Sequence, residues 1–329
     1  MTDASDGLTM VDAINRALHE AMAEDDTTAV MGQDVGVNGG VFRVTEGLID
    51  DYGAARVIDT PLAESGIVGL AIGMAMNGAR PIAEMQFSGF SYYALAQIEN
   101  HAARIRWRTR GAHTVPLVIR MPYGAGVRAL EHHSESREVF YGHMPGLKTV
   151  IPATPARAHA LLHAAIRDPD PVIFMEPKAV YRQMREPIAD DAEPAQIGTS
   201  RVVRRGKDLT LVSYGAMLHR ALEAAESLAA EDIDIEVIDI ETIAPLDAET
   251  IATSVGQTGR LLIVNEAPPS YGAAGEIAMR VIEQEFYALR VPIRRVCGWD
   301  VHVPFFAREQ TYLPSVDRIR GAARAMMAD

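Results

Sequence analysis

One cysteine, Cys297, is all that the 329 residues contain. A lone thiol rules out an internal disulfide framework and any zinc or iron–sulfur site built from cysteines of this chain. Lysine is almost as scarce: Lys148, Lys178 and Lys207 are the only three, and arginine carries the remaining positive charge. Even so, 31 basic residues face 44 acidic ones, for a formal net charge of −13. That surplus works against nucleic acid and anionic membrane surfaces as partners. No apolar run reaches the roughly 18 residues of a membrane span. Residues 1–12 are polar and acidic, without the apolar centre of a secretory signal. Neither a Walker A sequence nor G-x-S-x-G occurs. What remains is an ordinary globular composition, 48% hydrophobic and 23% charged. At about 150 residues per domain it is long enough for two domains, each with its own core. A cytoplasmic protein is expected.

Short apolar, β-branched runs alternate with longer helical patterns along the whole chain, the signature of parallel sheets with crossover helices. Strands are predicted at 28–31, 56–59, 81–86, 115–120, 148–151 and 172–176, then at 209–213, 235–239, 261–264 and 293–296. Between the two series, residues 181–200 are polar and acidic, carry Pro187 and Pro194 and show no apolar period. The fold class is therefore α/β, with two open, mostly parallel-sheet domains at 1–185 and 201–329 joined by a linker over 186–200. Thr9 followed by Asp12 resembles a capping box, and Met10, Ile14, Ala17, Leu18, Ala21 and Met22 make one apolar stripe on the helix it opens. Residues 66–77 (GIVGLAIGMAMN) have no polar face before Asn77. They predict a helix buried all round, with Gly66, Gly69 and Gly73 admitting a neighbouring backbone.

Several constellations compete as sites. Gly124-Ala-Gly-Val-Arg-Ala matches G-x-G-x-x-A after a predicted strand. No apolar helix follows to receive a pyrophosphate and no acidic ribose ligand stands about 20 residues on, so a glycine turn is the better reading. His159 and His163 are spaced i, i+4 on a predicted helix, as two metal ligands would be. With no third ligand evident, a solvated or packed pair is favoured over a metal site. His132-His133-Ser134-Glu135-Ser136, in a glycine-rich loop, suits general acid–base or anion contacts as well as it suits a solvated loop. Glu64 falls where a strand ends and the apolar helix begins, the place where ligands bind in open α/β sheets. Flanked by Leu62 and Ala63, it is either a desolvated carboxyl that favours its neutral, hydrogen-donating form, or a helix-terminus carboxylate stabilised by the macrodipole.

Read together, Asp59-Thr-Pro-Leu-Ala-Glu-Ser-Gly-Ile, Glu84-Met-Gln-Phe, His133-Ser-Glu-Ser, Pro145-Gly-Leu-Lys and Asp170-Pro-Val-Ile-Phe resemble the β subunit of the 2-oxo acid dehydrogenase first component. The resemblance continues through Val212-Ser-Tyr-Gly, Ile243-Ala-Pro-Leu-Asp and Glu266-Ala-Pro, and so covers essentially the whole chain. It implies a thiamine-diphosphate-dependent enzyme of the pyruvate or branched-chain 2-oxo acid type, with a pyrimidine-binding domain followed by a transketolase-type C-terminal domain. It also implies an α₂β₂ heterotetramer in which the cofactor lies between α and β chains and Mg2+ is held by a Gly-Asp-Gly segment of the α subunit. No Gly-Asp-Gly and no Asn-Asn occurs here, which fits a β chain. By the same resemblance Glu64 is the catalytic glutamate that hydrogen-bonds the aminopyrimidine N1′. Gln86 and Phe90 line the pocket for that ring. His133 meets the 2-oxo acid substrate or assists acyl transfer to the lipoyl domain of a dihydrolipoyl acyltransferase. Leu117, Ala165, Asp168 and Asp170 match a segment that in relatives binds a structural potassium ion, K+. An acetoin-cleaving β subunit and a non-catalytic scaffolding chain are the alternatives, the latter disfavoured by retention of Glu64 and His133.

Overall fold

The computed structural model describes residues 7–189 and 195–328. Residues 190–194 of the expected linker, and the first six residues of the amino-terminal stretch, lie outside the described residues. The chain divides into two compact units. The first comprises residues 1–123 and 140–197, the second residues 124–139 and 198–329.

In the first unit, strands β1 (Thr28–Gly32), β2 (Val57–Asp59), β3 (Arg80–Glu84), β4 (Val118–Tyr123), β5 (Lys148–Val150) and β6 (Val172–Pro177) are arranged in the order β5-β6-β4-β3-β1-β2. Every pairing among these six is parallel. β1, β4 and β6 are buried along their entire length, as strands covered on both faces must be. Helix α1 (Met10–Glu24) opens on the expected capping box: Asp12 N–H donates to Thr9 Oγ1 at 3.2 Å, and Thr9 N–H returns a bond to Asp12. Its apolar stripe is buried, and it packs along α3 (Pro155–Arg167), which Thr154 caps.

Helix α2 (Glu64–Met76) departs from expectation. Ile67, Val68, Ala71, Ile72 and Ala75 are buried, yet Leu70 is 53% exposed and Met76 44%. No backbone approaches its glycines within the described residues, and Gly73 looks onto open space. An apolar sequence with no polar face cannot tell the side that meets the sheet from the side left exposed.

In the second unit, β8 (Leu209–Ser213), β9 (Ile235–Asp239), β11 (Leu261–Val264) and β12 (Arg294–Val296) lie parallel, and β7 (Arg201–Arg204) closes the edge antiparallel to β9 with a bulge between Val202 and Arg204. A short strand, β10 (Thr242–Ala244), leads to the cis Ala244–Pro245 peptide bond. Helices α4 (Ala216–Ala229), α5 (Ala248–Thr258), α6 (Ala273–Glu285) and α7 (Val316–Ala328) complete the unit. Residues 124–139, which precede β5 in sequence, pack here because glutamates of this unit capture their amides: Ala125 N–H donates to Glu266 and Arg128 N–H to Glu309. Among the described residues no helix is long and apolar enough to cross a membrane.

Candidate active site

The parallel order β3-β1-β2 brings three strand ends together, with Gly32 in register with both Asp59 and Glu84. Chain leaving such carboxyl ends forms the ligand crevice of an open α/β sheet. Asp59 organises the first of these exits. Its carboxylate accepts from Gly36 N–H at 2.6 Å and Val37 N–H at 3.1 Å, and a Cβ at Gly36 would meet Asp59 Oδ2 at 2.8 Å. Only glycine lets the loop close on that acid. From Asp59 the chain passes Thr60-Pro61-Leu62 and enters α2 at Glu64, which Ala63 leaves without a side-chain cap.

Glu64 is 9% exposed, and among the described residues it has no hydrogen-bond or ion-pair partner. A carboxyl group on a largely buried side chain with no protein partner is open to a hydrogen bond from a ligand. The exit from β3 supplies the neighbouring wall. Gln86 spans to the β1 exit, where its Nε2 donates to Asp34 Oδ2 at 3.1 Å. Phe90 sits in the 3₁₀ turn Ser88–Ala94, which packs against α2. Its ring stands edge-on to Phe87 at 5.7 Å, Phe87 edge-on to Phe42 at 5.5 Å, and Phe42 edge-on to Tyr181 at 5.2 Å. Tyr181, the first residue of the polar stretch, is therefore core rather than connection.

Beneath this crevice lies an ionic network that the sequence did not announce. Arg120 of β4, 1% exposed, pairs with Glu84 of β3 and makes a bidentate contact to Glu176 of β6, 2.8 Å at each oxygen. Tyr181 donates its phenol to Glu176 at 2.5 Å. Burial pushes the Glu84 carboxyl up and the nearby Glu176 adds to this, while Arg120 pulls it back down. The network ties three strands together immediately before Gln86 and Phe90.

His133 lies in the second unit, on a 3₁₀ turn spanning Glu131–His133, its ring 4.2 Å from that of His132. Ser134 Oγ donates to Leu130 O at 3.0 Å and closes the turn. Glu138, a few residues on, is buried and accepts the Tyr214 phenol at 2.6 Å. Burial pushes its carboxyl up, opposed by that hydrogen bond. Tyr214 belongs to the Val-Ser-Tyr-Gly motif, but nothing in either segment signals the pairing. Gly124, at φ +84°, opens the loop, and the Glu266 carboxylate holds the next amide, Ala125 N–H, at 2.9 Å. The dinucleotide-like pattern is thus a glycine turn.

At the expected potassium segment, both carboxylates already hold cations. Lys148 Nζ lies 2.7 and 2.6 Å from the two oxygens of Asp168, and Arg106 Nε 2.5 Å from Asp170. The Leu117 carbonyl accepts Val172 N–H and the Ala165 carbonyl accepts Asp168 N–H. These donors do not fit a potassium ion as arranged, because one would have to displace the Lys148 ammonium.

His159 and His163 do have a third group. Glu20 of α1 meets both rings, and burial, which raises its carboxyl, is outweighed by hydrogen bonds from Arg16, His163 and His159 that bring it down to about 2. Burial holds the His159 imidazole low, against the pull of Glu20.

Known proteins match this chain over nearly its full length. Residues 6–184 match the family described as "Transketolase, pyrimidine binding domain" and residues 198–319 that described as "Transketolase, C-terminal domain". "Pyruvate dehydrogenase E1 component subunit beta" of Acholeplasma laidlawii is 46% identical, over 97% of this chain and 98% of the relative. "3-methyl-2-oxobutanoate dehydrogenase subunit beta" of Mycobacterium tuberculosis is also 46% identical, over 97% and 92%. The chain belongs to the 2-oxo acid dehydrogenase E1 β-subunit family. A Bacillus subtilis member, "Pyruvate dehydrogenase E1 component subunit beta", is 42% identical over 97% and 98%. The E1 β fold is also that of a solved structure titled "Split gene transketolase, inactive beta4 tetramer", with a TM-score of 0.81 at 22% identity over 98% of this chain and 99% of that one. In this E1 β chain Glu64 falls in the unit that matches the pyrimidine-binding domain, and His133 in the other unit.

Proposed function

We propose that this chain is the β half of an α₂β₂ 2-oxo acid dehydrogenase, working in the cytoplasm on pyruvate or a branched-chain 2-oxo acid and passing the acyl group to the lipoyl domain of a dihydrolipoyl acyltransferase. The observation that carries the reading is Glu64, largely buried and without a partner among the described residues, at the start of the helix against which the Phe90 turn packs. That arrangement suits a flat aminopyrimidine whose ring nitrogen needs a hydrogen bond. Bound there, thiamine diphosphate supplies the acidic carbon and the electron sink for decarboxylation. Glu64 holds a proton against the ring nitrogen N1′ and shares it, Phe90 and the wall behind it exclude water, and Gln86 offers its amide to the ring edge. His133 meets the substrate carboxylate or assists the acyl transfer.

The chain has no Gly-Asp-Gly segment to hold Mg2+ and the diphosphate. A net charge of −13 would also leave those phosphates poorly compensated, so the α subunit must supply that half. The uncovered Leu70–Met76 side of α2 supports assembly, since an apolar helix face of this kind is normally covered by a partner.

The test is hydrogen–deuterium exchange at the cofactor C2 in tetramer reconstituted with the α subunit, alongside steady-state decarboxylation of both substrates. Glu64→Gln keeps shape and hydrogen bond but cannot exchange a proton, so both rates should fall by about 10²–10⁴ with assembly intact. Exchange at the parental rate would reduce Glu64 to a helix-terminus carboxylate and overturn the reading.

A further inference from the structure

His159 and His163 stand one turn apart on α3, and Glu20 faces them from α1, so the cluster joins residues 139 and 143 positions apart in sequence. Both Nε2 atoms approach the same carboxylate oxygen, Glu20 Oε2, at 2.7 and 2.8 Å. The other oxygen, Oε1, is taken by Arg16 Nε at 2.6 Å. The rings lie edge to face with centroids 4.8 Å apart, and the three donor atoms all lie within 4.8 Å of one another. A cavity of about 670 Å³ borders the cluster and is also lined by Arg16, Glu24 and Arg167.

We propose that Glu20, His159 and His163 form a binding site for a divalent transition-metal ion of the zinc type, with the cavity side left to water. Bonds of 2.0–2.2 Å in a tetrahedron need donors about 3.3 Å apart. From the present spacing, the carboxylate oxygen must withdraw from each imidazole by about half an ångström, and the two ring nitrogens, within 4.8 Å of each other, must settle at that same separation. Two imidazole nitrogens and one carboxylate oxygen suit zinc, cobalt or nickel. Calcium and magnesium take oxygen ligands and are poorly served. Arg16 steers the carboxylate, holding Oε1 so that Oε2 faces the rings, the orienting role that outer partners play at metal centres. An ion here would cross-link α1 to α3 on the first unit.

The competing account is a hydrogen-bonded clamp that needs no ion. To separate the two, the full-length chain is stripped with chelator and titrated with Zn2+ by calorimetry, and with Co2+ while its visible absorption is followed. One equivalent should bind, Co2+ should develop the intense bands of a four-coordinate site, and Zn2+ should raise the parent's Tm. Glu20→Gln and His163→Gln should each weaken Zn2+ binding at least tenfold and abolish the Tm rise. Should either variant fail to fold, His159→Gln carries the same measurement from the other ring. Absence of stoichiometric binding by the parent overturns the proposal. So does binding that survives these substitutions, or a Tm loss in Glu20→Gln that is the same with and without Zn2+.

Discussion

Replacing Arg120 by methionine probes the ionic network under the crevice with little change in volume. The parent guanidinium is 1% exposed and bonded to Glu84 and to both oxygens of Glu176, so its removal leaves two carboxylates facing each other in the core. Breaking a buried pair by removing one partner costs roughly 3–5 kcal/mol. For a unit of this size each kcal/mol shifts Tm by about 2–4 °C, so a fall of roughly 6–20 °C is expected in the first unit's transition. The pH dependence fixes the cause. In the parent, burial and Glu176 hold the Glu84 carboxyl above its ordinary range and Arg120 opposes them. Without Arg120 the carboxyl must rise further. A group whose folded-state pKa is raised contributes its stability below the unfolded value and loses it as pH climbs through the folded one. The penalty should therefore be large at pH 7 and shrink toward pH 5. Urea midpoints by circular dichroism at the two pH values measure this, and cofactor affinity in the reconstituted tetramer should fall in parallel because β3 leads directly into Gln86. Equal midpoints at pH 7, or a penalty that grows on acidification, would refute the reasoning.

His133→Ala should lower acyl transfer to a lipoyl domain far more than it lowers thiamine diphosphate affinity. Full-complex turnover compared with calorimetric cofactor binding checks this, and equal turnover sinks the assignment. Gly146→Ala should cost at least about 2 kcal/mol in unfolding experiments, because Gly146 sits at φ +97° and a Cβ there would drive into the Ala103 carbonyl oxygen. A neutral result would mean that the loop re-forms. Leu70→Arg, on the exposed side of α2, should leave the chain's own Tm nearly unchanged yet lower the assembly state seen by sedimentation, and an intact tetramer would clear that face of any role in assembly.

The strands of the second unit were legible to the residue at 209–213, 235–239 and 261–264, because short β-branched runs there are cut off sharply by turn residues. β4 was not. It runs from Val118 to Tyr123 where 115–120 was expected, since Pro122 reads as a terminator. Past Arg120 that strand is paired only to β6, so it is an edge at that point and the proline is tolerated. β7 escaped notice because Arg201 and Arg204 flank only two apolar residues on an antiparallel edge. At the candidate site, Glu64 was legible as a carboxylate at a strand–helix junction, whereas its lack of a partner among the described residues could come only from three dimensions. The same holds for Glu20 against His159 and His163. Spacing marked the two histidines, but the acid that meets them lies on a helix at the other end of the unit's sequence, and no local period reports a contact of that range.

Glu266 has a consequence for how phosphate-binding patterns are read. At a glycine-rich turn the amides that would cradle a phosphate are the working part, and the glycines merely clear the approach. Here Gly124 clears the approach for a carboxylate of the same chain: a Cβ at that position would meet Glu266 Oε1 at 2.5 Å. The protein in effect carries its own acceptor there, 3% exposed, from a residue 141 positions away. A nucleotide reaching for Ala125 N–H would have to evict a buried carboxyl group before gaining a single hydrogen bond. The turn is already liganded, and the ligand is translated with it.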